Sequence, residues 1–320
     1  MDVPTWLWAV TVLGLIAIIG LDLIIVDRRP HAFGTSEATR WVIAYVALAS
    51  AFAVMVGLWF GPGFAGQFVA GYITEYSLSV DNLFVFMVIM TSFAVPAQHQ
   101  HRVLLVGVVI ALVLRGILIA IGATLIARFS GMFFVFGAFL LYTAWKVWFA
   151  REDEEPDPQG NGLIRFVARR FPTTPTYHGT QLTAVVAGQR MLTPMAMVML
   201  AIGTTDLLFA MDSIPAVFGV TSEPYLVFTA NAFALMGLRQ LFFLLKGLMG
   251  RLRHLNRGLA IILAFIGVKL VLEALHATTS LPVPVVPIWF SLGFIVAVLG
   301  VTAAISLRPE STPGAGDSAP

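Results

Sequence analysis

Two stretches of this 320-residue chain carry acids where acids are costly. Thr74-Glu75-Tyr-Ser-Leu-Ser-Val-Asp81-Asn82 and Thr205-Asp206-Leu-Leu-Phe-Ala-Met-Asp212-Ser213 each place two carboxylates six residues apart inside long apolar runs. The second stretch repeats the first at an offset of 131 residues for both acids, and each second aspartate is followed by a small polar residue. Ionisable groups at membrane depth are rare and mark ion or substrate pathways. A pair written twice suggests a site between two related halves of a transporter. The chemistry such a set can perform is reversible cation binding.

On an ideal helix, six residues turn through about 600°, which leaves the two acids of one pair about 120° and about 9 Å apart. One pair can therefore share an ion only if its helix is broken or unwound. Ser77 and Ser79 are mediocre helix formers, and Pro215 frees the carbonyl of Met211 beside Asp212, so breaks are expected at both stretches. The favoured site joins Asp81 and Asp212 across a pseudo-symmetry axis. Asn82 and Ser213 supply neutral oxygens, and Glu75 and Asp206 line the approach or complete the shell. An all-oxygen shell suits Mn²⁺, Ca²⁺ or Mg²⁺ and argues against soft-ligand copper. The six histidines fall in loops or at span ends and read as interfacial or solvated groups.

The elements that must hold these acids are membrane helices. Hydrophobic residues make up 58% of the chain and charged residues 11%. Mean hydropathy is +0.89. A soluble domain carries about 25% charge. About nine apolar segments of spanning length can be drawn, each near the ~20 residues a bilayer requires. They cover 6–26, 41–60, 67–93, 103–127, 131–149, 194–220, 226–246, 257–276 and 285–307. With the N-terminus outside, 14 of the 19 lysines and arginines fall in inner segments and only Arg128 falls outside. The positive-inside rule thus gives N-out, C-in, in a cell inner (plasma) membrane. The first run lacks a basic leader and a cleavage site, and it reads as a retained span.

The repeat extends beyond the acids. Arg115 follows Asp81 by 34 residues and Arg239 follows Asp212 by 27; Lys146 and Lys269 follow those arginines by 31 and 30. Four intramembrane cations, Arg115, Arg239, Lys146 and Lys269, therefore balance the four acids. A three-helix unit reverses direction when repeated, so the halves are expected to be inverted. The fold class is an all-α membrane protein with two inverted three-helix repeats. Residues 1–66 form two accessory spans, 67–149 the first repeat, 150–193 an inner loop, 194–276 the second repeat and 277–308 a last span. Residues 309–320 read as a disordered tail. Within the loop, the acidic run Glu152 to Asp157 reads as a solvated linker, and residues 163–171 as a short amphipathic helix on the inner surface. Asp22 stands near the inner end of the first span. Glu273 is four residues after Lys269, which suits a helix-face ion pair, and Asn231 suits a bond between helices.

Several classes are excluded. Cysteine is absent, which removes disulfides, thiolate metal sites and cysteine catalysis. No phosphate-cradling glycine loop, nucleophile elbow or HExxH pair is present, nor any nucleic-acid-binding motif. The paired aspartates raise an intramembrane aspartyl protease, but the Gly-x-Gly-Asp signature expected there is missing. The chain is not expected to be an enzyme or to hold a resident cofactor. A structural reading, in which the charges only bind the bundle together, does not require two identically spaced acid pairs.

The two acidic stretches, with Leu21-Asp22-Leu23, Leu114-Arg115-Gly116, Thr193-Pro194, Met236-Gly237-Leu238-Arg239 and Gly267-Val268-Lys269, resemble the TerC/Alx family of integral membrane proteins across about residues 10–305. The resemblance implies a manganese exporter, with Glu75, Asp81, Asp206 and Asp212 at the family's membrane acids and Mn²⁺ as the transported partner. It also implies links to tellurium resistance and metal homeostasis, which leaves a stress-related membrane scaffold and a Ca²⁺ transporter as alternatives. The acidic loop is less family-like.

Overall fold

The computed structural model describes residues 1–27, 35–129, 131–149, 162–186, 188–245, 255–279, 283–284 and 286–306. The acidic run at 152–157 and the tail from 309 lie outside them. Eleven helices and one hairpin follow in order: α1 (Thr5–Asp27), α2 (Thr35–Phe60), α3 (Pro62–Ser92), α4 (Ala97–Arg128), α5 (Met132–Phe149), α6 (Gly162–Arg170), β1 (Thr183–Val186), β2 (Gln189–Leu192), α7 (Pro194–Phe218), α8 (Pro224–Met236), α9 (Leu238–Leu245), α10 (Leu255–Thr278) and α11 (Ile288–Ser306). Prolines open α3, α7 and α8, where the missing N–H costs nothing. Among the described residues, six helices are long and apolar enough to cross a membrane: α2, α4, α5, α7, α10 and α11. Trp6, Trp59, Trp145, Trp148 and Trp289 are all exposed on the bundle surface, as suits lipid-facing and interfacial side chains.

One expectation is corrected. Neither acidic stretch is broken: α3 runs without interruption through Glu75 and Asp81, and α7 through Asp206 and Asp212. In α3 the polar residues bond back to their own helix, Thr74 Oγ1 donating to Ala70 O at 2.8 Å and Ser77 Oγ to Ile73 O at 2.6 Å. Such bonds satisfy the hydroxyls without unwinding the backbone. Pro215 falls in the last turn of α7, so the bond it removes lies at the helix end. The described chain is mostly helical, as expected of an all-α membrane protein, and part of the expected loop folds into the short β1–β2 hairpin. Gly188, at φ 79°, takes the left-handed position of its tight turn.

The hairpin and α6 gather at one end of the bundle. Tyr177 Oη donates to Phe93 O at 2.8 Å at the end of α3, and Arg102 Nη1 donates to Thr180 Oγ1 at 2.7 Å. Partial burial pushes the Tyr177 phenol above its ordinary pKa, which keeps it a donor. Thr193 caps α7, accepting from Ala196 N at 3.4 Å and donating to Gln181 O. Beneath this end lies a thick apolar layer that includes Leu83, Phe86, Met90, Leu104, Val198 and Phe242. Towards the opposite end a smaller cluster holds Ile119, Ile214, Val217, Phe218 and Val227.

α3 packs on α8, α4 packs on α7, and α5 lies along α10. The α5–α10 pair is antiparallel, since Gly137 meets Val271 where Leu141 meets Gly267. Two glycines set how close the pair comes. A Cβ on Gly137 would lie 2.7 Å from Val271 Cγ2 and 2.9 Å from Gly267 O, while one on Gly267 would lie 3.1 Å from Gly137 O. Small residues of this kind let membrane helices pack backbone to backbone. Gly137→Ala is therefore expected to destabilise the protein by about 1–3 kcal/mol through overpacking, read as a lower thermal midpoint in detergent. Gly293→Ala, with nothing within 4 Å of the new methyl, is expected to leave the midpoint unchanged.

Candidate functional site

Between the two apolar layers sits Arg115 of α4, fully buried and surrounded by oxygens from three other helices. Its Nη1 forms an ion pair with Glu75 Oε1 of α3 and donates to Asn231 Oδ1 of α8 at 3.0 Å. Its Nη2 donates to Asp206 Oδ1 of α7 at 3.2 Å. Asn82 of α3, in the amide orientation that satisfies both its ends, accepts from Nη2 at 3.2 Å and donates to Leu78 O at 3.1 Å. Asn231 is held the same way, its Nδ2 donating to Val227 O at 3.1 Å. Each amide is thus oriented by its own helix so that its oxygen faces the guanidinium. The rigid fork of arginine suits this arrangement, because its terminal donors can serve several acceptors at once.

The site is buried and incompletely satisfied. Glu75 is 0% exposed and Asp206 2%. Glu75 Oε2, Asp206 Oδ2, Ser79 Oγ and Ser213 Oγ are buried without a hydrogen-bond partner among the described residues. Two carboxylates face one guanidinium, so the formal charges of these groups sum to minus one. Isolated buried charge costs several kcal/mol per ion. The arrangement has spare oxygen ligands and spare negative charge, the two things a cation requires.

The remaining sequence candidates divide among other places. Asp212 accepts from Thr143 Oγ1 of α5 at 3.1 Å and is attracted by Lys146, also on α5. It is only partly buried, and its hydrogen bond goes to α5 and not to Arg115. Lys269 interacts with Glu273 on α10, away from the arginine. The side chains of Asp81, Arg239 and Asp22 lie outside the described residues, and no contact is assigned to them. Among the described residues no group of three or more acidic or histidine side chains is gathered as a metal cluster. Asn231 and Thr143 gained their places only in three dimensions. Asn231 had a signal, being an amide in an apolar run; Thr143 had none.

A bundle of apolar helices enclosing a buried ionic cluster defines an integral, multi-pass membrane protein. Within that class the chain belongs to the integral membrane protein TerC family, whose model matches residues 60–312. It is 40% identical over 301 residues to the uncharacterized membrane protein STKORF319 of Myxococcus xanthus, covering 94% of this chain and 92% of that one. It is 36% identical over 299 residues to the putative membrane-bound redox modulator Alx of Photorhabdus laumondii, covering 90% of each chain. It is 39% identical over 273 residues to the chloroplastic thylakoid membrane protein TERC of Arabidopsis thaliana, covering 85% of this chain and 70% of the relative. No solved structure matches the chain.

Removing Arg115 leaves two buried carboxylates without their counter-ion. Arg115→Met is expected to cost about 3–5 kcal/mol, seen as a lower thermal midpoint in detergent. Adding Glu75→Gln and Asp206→Asn to that variant should recover most of the loss. If the single variant is no less stable than the triple one, the cluster does not hold the helices together electrostatically.

Proposed function

We propose that this chain exports a divalent cation, Mn²⁺, from the cytoplasm by alternating access, exchanging it for protons. The observation that carries this reading is the buried Glu75–Arg115–Asp206 cluster with its spare carboxylate oxygens. In the state described, Arg115 occupies the place of the cargo. An arriving cation competes for the same two carboxylates, and its double charge exceeds the single charge it displaces. Asn82, Ser213 and the second acids, Asp81 and Asp212, extend the oxygen set along the path. Lys146, Lys269 and Arg239 compensate charge when the ion is absent. Oxygen ligands suit Mn²⁺, Ca²⁺ and Mg²⁺ alike; manganese in particular rests on the likeness to the TerC/Alx proteins.

Nine crossings with the N-terminus outside complete the reading, with α1, α3 and the α8–α9 pair joining the six long apolar helices. Two inverted halves, α3–α5 and α7–α10, are supported by the packing pattern. Exchange of the halves turns the α3–α8 contact into the α7–α4 contact and maps the α5–α10 contact onto itself. Redox modulation, the word in the Photorhabdus relative's name, would have no thiol couple to work with here, since the chain has no cysteine.

The test is Mn²⁺ uptake into inside-out vesicles, with Ca²⁺ and Mg²⁺ as competitors. Wild type is expected to accumulate Mn²⁺, and correctly inserted Asp206→Asn and Asp212→Asn are expected to lose that flux. Undiminished flux in both variants would remove the site, and preference for Ca²⁺ would change the cargo. Reversing an imposed pH gradient is expected to change the wild-type rate; indifference to it would remove proton exchange.

A further inference from the structure

A cavity of about 490 Å³ lies outside the arginine cluster, between the start of α3, the α7–α8 turn, the end of α10 and the start of α11. Its polar lining includes Gln67, Thr221, Glu223, Lys269, Glu273 and His276. Thr221 Oγ1 donates to Gln67 Oε1 at 2.6 Å, tying the turn to α3. Lys269 stands nine residues before the end of α10, so the cavity reaches about 14 Å along that helix. An ammonium and a carboxylate one turn apart on a membrane helix are tolerated when they face water-filled space. The cavity accounts for both.

The cavity and the cluster share one face of α3. Gln67, Gly71 and Glu75 succeed one another at four-residue steps, which places them in line. Glu75 is therefore about 12 Å from Gln67 along the helix. At the position between them, a Cβ on Gly71 would lie 3.3 Å from Val217 Cγ1 and 3.4 Å from Ala230 Cβ. Val217 and Ala230 are both fully buried. Side chains of α7 and α8 thus close the line at Gly71, where Phe68, Ala70 and Phe218 are buried as well. On the other side of the cluster, Leu83, Phe86 and Met90 span about two turns of α3.

We propose that this cavity is the water-filled outer vestibule through which the cation leaves, and that Val217 and Ala230 against Gly71 form its gate. This rests on the export reading and on the orientation with the N-terminus outside. The lining suits release: Glu223 is paired with the N-terminal ammonium of Met1 at 2.8 Å and Glu273 stands one turn from Lys269, so an emerging dication meets little net charge to recapture it.

Because the chain contains no cysteine, single cysteines report accessibility without background. Leu272→Cys and Glu273→Cys place a thiol in the cavity, and Val268→Cys places one on the exposed outer side of the same helix. A charged, membrane-impermeant methanethiosulfonate is applied to the outer face of cells or right-side-out vesicles. Both cavity thiols are expected to react about tenfold or more faster than the Val268→Cys thiol, since a hydrated thiol ionises and a lipid-facing one does not. Modification of either is expected to block Mn²⁺ export. Labelling as slow as at Val268→Cys would mean a dry cavity, and labelling only from the inner face would reverse the vestibule; either overturns the proposal. Complete labelling with unchanged export would place the cavity off the path and overturn it equally. Fast outer labelling with no Mn²⁺ flux in wild type would sustain a hydrated vestibule and sink the manganese reading alone.

Discussion

The bundle is built around one charge that cannot be left alone. Arg115 sits at full burial, and a guanidinium in that position requires anions and neutral acceptors from every side. They come from Glu75 and Asn82 on α3, Asp206 on α7 and Asn231 on α8, so a single side chain ties together four helices distant in sequence. Apolar packing in lipid has no hydrophobic driving force to choose between neighbouring faces. The ionic cluster supplies that choice, and it fixes the rotation of each helix about its own axis.

The surroundings of the cluster are unequal. On the hairpin side, portions of α3, α4, α7 and α8–α9 interleave large side chains, and α6 and β2 are packed over them through Ile164 and Leu192. On the far side the buried apolar side chains divide among three smaller groups, and a polar cavity lies beyond them.

Much of this was legible in the chain, for reasons that also mark where legibility stops. Apolar runs of spanning length exposed the long helices, and the low tolerance of lipid for charge made Glu75, Asp206 and Arg115 conspicuous. Spacing gives the angle between residues on one helix, but it does not say which neighbour each residue faces. That is why Glu75 and Asp206, expected to line the approach or complete the shell, are found together on Arg115, and why Asp212 turns to Thr143. The expected breaks failed because the hydroxyls of Thr74 and Ser77 found partners one turn back, and because Pro215 falls in a terminal turn. The β1–β2 hairpin went unseen because its strands are only four residues long and show no strong alternation.

The glycine crossing of α5 and α10 has a mechanical consequence. Where Gly137 and Gly267 meet, the two backbones come close, with Val271 seated against Gly137 and Leu141 against Gly267. Those two side chains hold the register, and the close backbone contact leaves the crossing as a fulcrum for tilt. Lys146 lies nine residues from Gly137, a lever arm of about 14 Å. A tilt of roughly 10° about the crossing would swing it by about 2 Å at that radius. Thr143 and Lys146, which together hold Asp212, travel on the same arm. The joint between α5 and α10 can therefore convert a small change of angle into the making or breaking of a hydrogen bond to a membrane carboxylate.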